Sequence, residues 1–161
     1  MTLTSQDWIS RLNLLPHPEG GFYREVYRSS FSVTPPNGKA TGSCTSIHYL
    51  LQGEDFSGFH RLAYPEIWYF HDGAALDIHQ IDASGKYSVT RLGKDPGENL
   101  SLVVEPGTWF AADIPGKQGF ALVSCAVAPA FDFAFFEMGK KKALMQQWPQ
   151  HGEILSRLCR N

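Results

Sequence analysis

The sequence predicts an all-β barrel or sandwich, with one short helix before it and a helical segment after it. Between about residues 22 and 136, short runs rich in β-branched and aromatic residues alternate with turn-forming clusters of Gly, Pro, Asn and Asp. This punctuation is typical of antiparallel sheets built from many short strands. Apolar residues recur at helical spacing only near the two ends of the chain.

The N-terminal helix has both a start signal and a stop signal. Thr4 and Asp7 have the spacing of a capping box, with Asp where Glu or Gln is usual, and apolar residues then follow at helical intervals. We therefore expect a helix from residue 5 to about residue 13. The prolines and glycines of segment 16–21 end it.

The strands and the C-terminal helices follow in order. Apolar and aromatic runs of strand length predict strands at residues 22–27, 45–51, 67–71, 75–81, 87–92, 101–104, 119–127 and 131–136. After residue 137 the apolar residues return to helical spacing, which predicts one or two short helices. No repeat or linker interrupts the chain, so we expect residues 1–161 to form one domain.

The composition limits the classes of function. The 161 residues carry a net charge of -2, so no basic surface for nucleic acid or for an anionic membrane is expected. No apolar run reaches the ~20 residues that span a bilayer, and the N-terminus has no signal-peptide pattern. Three cysteines without a CxxC pair are typical of free thiols in a reducing compartment, which predicts a cytoplasmic protein.

Segment 58–73 carries the strongest chemical signal. If a strand begins at Glu66, side-chain alternation places Glu66, Trp68 and Phe70 on one face. A carboxylate on an apolar inner face is costly unless a polar group meets it, and His60 on the preceding strand is the obvious candidate. His60 and Glu66 are therefore the candidate catalytic residues. The alternative is that they only satisfy each other and pin two strands together.

The same segment resembles the first motif of the cupins. That motif has a glycine, a His-x-His pair, a Glu and a further glycine. Here it reads His60, Leu62 in place of the second His, Glu66 and Gly73.

Further blocks resemble one branch, the fifth cupin family, long catalogued as a domain of unknown function. They lie at residues 16–25, 107–112 and 128–137, and the resemblance as a whole covers about residues 8–156. It implies a double-stranded β-helix, which is a jelly-roll barrel, commonly dimeric and with a pocket at one end. It does not imply an established reaction.

The resemblance leaves metal binding open. Metal-dependent cupins offer three His and one Glu, or two His and one carboxylate. Leu62 stands at the second His position and Phe110 where the third would fall, so only His60 and Glu66 remain. Because catalytic zinc sites normally use three protein ligands, we expect no resident metal or other cofactor. The alternative is a divalent metal held with the help of another histidine: His48, His71 or His79.

The glycine-rich block before the first strand is a second candidate for ligand binding. Glu19 precedes Gly20 and Gly21, where the backbone can approach another surface closely. Tyr23 and Arg24 can grip a carboxylate or phosphate, the Arg through a bidentate fork. Pairing of Arg24 with a nearby Glu is the alternative.

Two tryptophans are candidates for the wall of the ligand site. Trp68 shares its face with Glu66, and Trp109 lies in a block that resembles the family. Packing in the core is the alternative for both. Segment 131–133 either closes the pocket or packs as a strand.

Three functions remain open, and each has a small molecule as its partner. The first is a metal-independent isomerase or epimerase acting on a carbohydrate-like or acidic metabolite, with His60 as general base, Glu66 as its orienting partner and Arg24 as anion anchor. The second is a ligand-binding module without chemistry, and the third is a metal-dependent cupin enzyme with a sparse site. Open sheet edges and the N-terminal arm predict a homodimer.

Overall fold

The computed structural model describes residues 2–36 and 38–160 of the chain. Its helices are α1 (Ser5–Leu12), α2 (Lys141–Gln147) and α3 (Gly152–Leu158), and single 3-10 turns lie at Phe133–Phe135 and Pro149–His151. Its strands are β1 (Leu15–Pro16), β2 (Phe22–Arg28), β3 (Ser32–Val33), β4 (Thr41–Gly42), β5 (Thr45–Gln52), β6 (Phe56–Leu62), β7 (Glu66–Gly73), β8 (Leu76–Ile81), β9 (Tyr87–Leu92), β10 (Ser101–Val104), β11 (Trp109–Asp113), β12 (Phe120–Val127) and β13 (Phe136–Met138). Within the described ranges, no helix has the length and hydropathy needed to cross a bilayer.

Helix α1 forms where its capping signal predicted. The Thr4 side chain accepts a hydrogen bond from the Asp7 backbone N–H at 3.2 Å, and the Asp7 carboxylate accepts one from the Thr4 N–H at 2.8 Å. The apolar side of the helix packs on Leu50 and Leu122, which lie on one outer face of the sheets. This contact partly buries the apolar face that the sequence pattern indicated.

The strands form two antiparallel sheets. One sheet has six strands in the order β1-β2-β5-β12-β7-β10, the other has five in the order β13-β6-β11-β8-β9, and β3 and β4 form a separate hairpin. Strand β7 shows the alternation expected of a strand with one buried face, since Glu66, Trp68 and Phe70 are buried while Tyr69 and His71 are exposed. The all-β prediction is therefore confirmed.

The main core lies between the two sheets. It is formed by inward side chains of both, among them Tyr49, Trp68 and Val123 from the six-stranded sheet and Ile78 and Phe110 from the five-stranded sheet. Helices α2 and α3 cover the outer face of the five-stranded sheet in a second apolar cluster. The result is a two-sheet sandwich with terminal helices on its outer faces.

The structure differs from the predicted strands in two places. Segment 131–136 is not one strand, because the Asp132 carboxylate accepts the Ala134 N–H at 2.8 Å and starts a 3-10 turn before β13 begins. Strand β11 was missing from the predicted set, and β6 was expected only as the strand that carries His60, without bounds. Strand β11 is rich in alanine, which has little intrinsic preference for strands, and its five buried residues form a strand because both neighbours pair with it.

Candidate functional site

A cavity of about 390 Å³ lies between the sheets, bordered by the glycine-rich loop and by segment 131–133. Five of the residues selected from the sequence line this cavity: Glu19, Tyr23, His60, Glu66 and Trp68. Two do not: Arg24 and Trp109. The described structure thus brings together the glycine-rich block and the His60–Glu66 segment, which are about forty residues apart in sequence.

His60 lies on β6 and faces the cavity. Its Nδ1 is 2.7 Å from the carbonyl oxygen of Gly58, and because a carbonyl only accepts, Nδ1 carries the proton and Nε2 of the neutral ring is an acceptor. The ring centroid lies 4.1 Å from that of Phe110 and 5.4 Å from that of Phe136. Burial lowers the pKa of His60 to about 4, with the Gly58 carbonyl opposing the shift and His17 adding to it. The imidazole is therefore neutral at neutral pH.

Glu66 begins β7 and is buried beside Trp68. The Trp68 indole N–H donates to Oε2 of Glu66 at 3.1 Å. Burial raises the pKa of Glu66 to about 7; the Trp68 hydrogen bond opposes this shift and the charge of Glu19 adds to it. The prediction that His60 and Glu66 are hydrogen-bonded to each other is wrong, because each side chain has a different partner. Among the described residues, the Gly58 carbonyl orients His60 and the Trp68 indole orients Glu66.

Arg160 holds the loop that carries Glu19. Its guanidinium donates to the backbone carbonyl of Glu19 at 2.8 and 3.0 Å and to that of Phe56 at 2.8 Å, and it lies 4.2 Å from the centroid of the Phe56 ring. Gly20, at φ +102°, sits against this guanidinium and has no room for a Cβ. Burial raises the pKa of the Glu19 carboxyl to about 7, with the Arg160 charge opposing the shift.

Within residues 2–36 and 38–160, no charged side chain pairs with the Glu19 carboxylate in the cavity at neutral pH. Its Oε2 lies 3.9 Å from Nδ1 of His60, which is too far for a hydrogen bond. The Nδ1 proton already goes to the Gly58 carbonyl, and the ring is neutral. The contact is therefore an approach of a carboxyl to a neutral imidazole, not a salt bridge.

His17 is a cavity residue that the sequence did not single out. Its Nδ1 accepts the Glu19 backbone N–H at 3.0 Å, and its ring meets Tyr23 edge-on with centroids 4.6 Å apart. Burial, together with the charge of Arg160, lowers the pKa of His17 to about 4. The only sequence signal was its position inside the block at residues 16–25.

The prediction that Arg24 anchors an anion is corrected. Arg24 is exposed outside the cavity because Tyr23 faces inward, and successive residues of a strand point to opposite sides. A bulge between Glu25 and Tyr27 then shifts the alternation, so that Arg28 lines the cavity instead. Arg28 forms a two-pronged ion pair with Glu25, with both N–O distances 2.8 Å.

The prediction that Trp109 binds ligand is corrected for the same reason. Its neighbour Phe110 faces inward and packs against His60, so Trp109 points to the outer face of the sheet. There it packs under the C-terminal helices, and the Arg61 guanidinium lies 4.6 Å from its ring centroid. Trp109 is a packing residue of the second apolar cluster.

Comparison with known proteins identifies the family. A family model described as Cupin superfamily (DUF985) matches residues 6–139. The chain belongs to this cupin family. No curated protein is similar enough to this cupin to match it.

Two solved structures share the fold of this cupin over 99% of its length, and a third shares it over 89%. A hypothetical protein from Leishmania major is 35% identical with a TM-score of 0.91, covering 99% of this chain and 100% of its own. A protein from Shewanella oneidensis is 37% identical with a TM-score of 0.90, covering 99% of both chains. Oxalate decarboxylase from Bacillus subtilis is 15% identical with a TM-score of 0.56, covering 89% of this chain and 36% of its own. The last likeness concerns the fold alone.

The residues of this cupin do not fit a three-ligand metal centre. Leu62 contributes hydrocarbon to the cavity wall, and the Phe110 ring packs against His60. In the ranges 2–36 and 38–160, no group of three or more His, Cys, Asp or Glu side chains is placed to hold a metal ion. Three other histidines considered as ligands are engaged elsewhere: His48 and His71 with Ser124, and His79 with Asp113 and Tyr87.

Proposed function

We propose that the cavity binds a small polar metabolite and that the protein is a metal-independent enzyme of the isomerase or epimerase kind. The observation that carries the proposal is Glu66, a buried cavity carboxyl held by Trp68, with its pKa raised by burial to about 7. A carboxyl with a pKa near the working pH is ionised often enough to accept a proton and protonated often enough to return one. Perturbed carboxyls of this kind cluster at catalytic sites.

The proposed chemistry is a proton transfer beside a carbonyl group of the ligand. The Glu66 carboxylate takes a proton from the carbon next to the carbonyl, and the C–H electron pair moves into an enolate. In an epimerisation, a carboxyl then returns a proton to the other face of the same carbon and the enolate electrons restore the carbonyl. In an isomerisation, the hydroxyl on the deprotonated carbon first passes its proton to the former carbonyl oxygen, and a carboxyl then protonates the former carbonyl carbon while the new carbonyl forms. Glu19 lines the same cavity with a pKa of about 7 and is the proposed second acid.

His60 has a different role in this proposal from the one the sequence suggested. With a pKa of about 4 it is a weak proton acceptor, so we assign the general base to Glu66. The neutral ring offers Nε2 as an acceptor for a ligand hydroxyl, while Nδ1 is held by the Gly58 carbonyl. Tyr23 and Trp68 supply aromatic walls, and about 390 Å³ suffices for a metabolite the size of a sugar.

Glu66→Gln is expected to abolish proton exchange into the substrate. A panel of sugars, sugar nucleotides and keto acids is incubated with the protein in heavy water, and deuterium uptake at carbon is followed by NMR. Removal of the general base lowers the exchange rate by about 10²- to 10⁴-fold. Glu54→Gln is the matched control, because Glu54 is exposed and does not line the cavity.

Two results would contradict the enzyme proposal. Undiminished deuterium exchange in Glu66→Gln would show that Glu66 is not the general base. Binding of panel members without any deuterium uptake would leave a ligand-binding module as the function of the cavity.

We also propose that two copies associate along the free edge of β2. Strand β1 pairs only with Phe22 and Tyr23, so the rest of the seven-residue strand β2 has an unpaired outer edge among the described residues. Large apolar side chains are exposed beside it: Val26 at 48%, Tyr27 at 52% and Phe31 at 77%. Unpaired edges with apolar neighbours favour pairing with another chain.

Sedimentation equilibrium at micromolar concentration is expected to give a dimer. Phe31→Asp combined with Tyr27→Asp should shift the protein to monomer, because two charges would be buried in the interface. Val89→Asp is the control, since Val89 is similarly exposed at 44% but lies on the edge strand β9 of the other sheet. A monomeric wild-type protein would contradict the proposed dimer. A dimer unaffected by the double substitution would show that its interface is not the edge of β2.

A cytoplasmic location is part of the proposal. Cys44, Cys125 and Cys159 form no disulfide in the described structure, and Cys125 and Cys159 are buried. Free buried thiols are typical of proteins from reducing compartments.

A further inference from the structure

The polar groups of the cavity are rich in hydrogen-bond acceptors. In the part of the chain that the structure describes, no donor is bound to either carboxylate oxygen of Glu19, and Nδ1 of the neutral His60 ring lies 3.9 Å from its Oε2. Glu66 receives one donor, the Trp68 indole, on Oε2. Both residues are more than nine-tenths buried, and since no fully buried side-chain oxygen or nitrogen of the described residues lacks a partner, their unpaired carboxylate oxygens face the space of the cavity.

The two arginine side chains near the cavity already have other hydrogen-bond partners. Arg28 lines it, but its guanidinium binds both carboxylate oxygens of Glu25 and donates to the Phe131 carbonyl at 3.2 Å. Arg160 is used by the backbone carbonyls of Glu19 and Phe56. Among the described lining residues, therefore, no basic side chain is left to neutralise the two buried carboxyls.

The walls around these carboxyls are aromatic. Tyr23, Trp68, Phe131, Phe133 and Phe136 all line the cavity. Aromatic faces attract cations through the ring quadrupole, by roughly 0.5–2 kcal/mol per contact when the cation is desolvated. Carboxylates and aromatic rings together favour a positively charged guest over a neutral or negative one.

We infer that the ligand of this cavity carries an ammonium group, which donates hydrogen bonds to Glu19 and Glu66 while its carbon frame lies against the aromatic walls. The inference rests on the proposed use of this cavity as the ligand site, and it replaces the acidic metabolite of the sequence-based prediction with a cationic one. An ammonium has three donors and no acceptor, which complements a site with unused acceptors and no unpaired cation.

The electrostatics of the empty cavity agree with this ligand class. Burial raises the pKa of Glu19 and of Glu66 to about 7, because ionised carboxylates find no counter-charge there. The other titratable groups that interact with them are Arg160, which already lowers the pKa of Glu19, and the neutral His17 and His60. Tyr49 and Cys125 also line the cavity, and the charges of Glu19 and Glu66, respectively, help to raise their pKa values, so neither supplies a positive charge. A bound ammonium supplies one positive charge, so one carboxyl should ionise when it binds while the other keeps the proton that the proposed transfer needs.

The test compares ligands that differ only in charge. Two frames serve as probes: glucosamine with glucose and glucuronate, and benzylamine with benzyl alcohol and benzoate. Calorimetry at neutral pH is expected to give the ammonium member of at least one frame at least ~10-fold tighter binding than its neutral and anionic partners. Titration in buffers of different ionisation enthalpy should show protons released on binding.

Variants connect this selectivity to the two carboxyls. Glu19→Gln should lower the affinity for the ammonium member by ~10-fold and leave that for the neutral member unchanged. Glu105→Gln, at an exposed position outside the cavity, is the control and should change neither. Circular dichroism of each variant separates loss of the site from loss of the fold.

The outcomes are distinct. Equal or tighter binding of the neutral or anionic members, or no detectable ammonium binding in either frame, overturns the inference. Ammonium selectivity that depends on Glu19, without deuterium uptake in any ligand, supports it and refutes only the proposed proton transfer.

Discussion

Replacing Glu66 by Gln is expected to raise the free energy of unfolding at about pH 8 by about 3 kcal/mol. In the unfolded chain Glu66 titrates near its ordinary value of 4.5, whereas burial raises its pKa in the folded protein to about 7. Between these values the folded protein keeps a proton that the unfolded chain has lost, so its stability falls as pH rises from about 4.5 to about 7. Gln has no charge to bury and keeps an oxygen that can accept the Trp68 N–H.

Urea unfolding of the two proteins at about pH 4, 6 and 8 measures this effect. The difference in unfolding free energy between Glu66→Gln and wild type should be near zero at the lowest pH, increase through the middle of the range and be largest at the highest pH. His17 and His60 titrate in the opposite sense, with pKa values lowered by burial to about 4, but they are present in both proteins and cancel in the difference. A difference that does not change with pH would show that the carboxylate is not penalised. The variant should therefore be more stable than wild type but inactive, because an active site keeps groups that function needs at a cost in stability.

Gly20→Ala is expected to lower the free energy of unfolding by about 3–5 kcal/mol. Gly20 has φ +102°, where other residues are strained, and a Cβ would overlap the Arg160 guanidinium and the Phe56 carbonyl oxygen. The guanidinium must then move and release the backbone carbonyls of Glu19 and Phe56. The same movement should shift Glu19 in the cavity, so ligand binding should weaken together with stability.

Gly107→Ala separates the overlap from the backbone strain. Gly107 also has a positive φ, of +75°, but a Cβ there meets nothing within 4 Å. Its substitution should therefore cost only about 1 kcal/mol, from backbone conformation alone. Thermal unfolding should show Gly20→Ala melting roughly 10 °C below wild type and Gly107→Ala only a few degrees below it. Equal losses would mean that the contact with Arg160 contributes nothing.

Side-chain alternation explains both the successes and the failures of prediction at the site. Glu66 and Trp68 are two residues apart in one strand, so the sequence alone placed them on one face, and the structure confirms it. The prediction that Arg24 reaches the ligand was wrong, because Tyr23 faces the cavity and the next residue of the strand must then point outward. Arg28 could not be predicted to face inward, because the bulge between Glu25 and Tyr27 that reverses the alternation depends on pairing with β5.

The contacts of each buried group were beyond the sequence. The Nδ1 proton of His60 is bound by the backbone carbonyl of Gly58, whereas the sequence-based prediction paired the imidazole with Glu66. A backbone carbonyl becomes available to a side chain only through the local path of its strand. The resulting pKa values, which place the titratable group at Glu66 and not at His60, follow from burial in the assembled sandwich.

The amino-acid order by itself determined the all-β class, the terminal helices, the family and the inward face of β7, because these depend on local period and on motifs within a few residues of each other. Only the tertiary structure decided which groups meet in the cavity. Arg160 holds the Glu19 loop from the far end of the chain, across 141 positions, and nothing local marks that contact. Long-range pairing sets distance, burial and charge, and these quantities give the carboxyls of the cavity their chemistry.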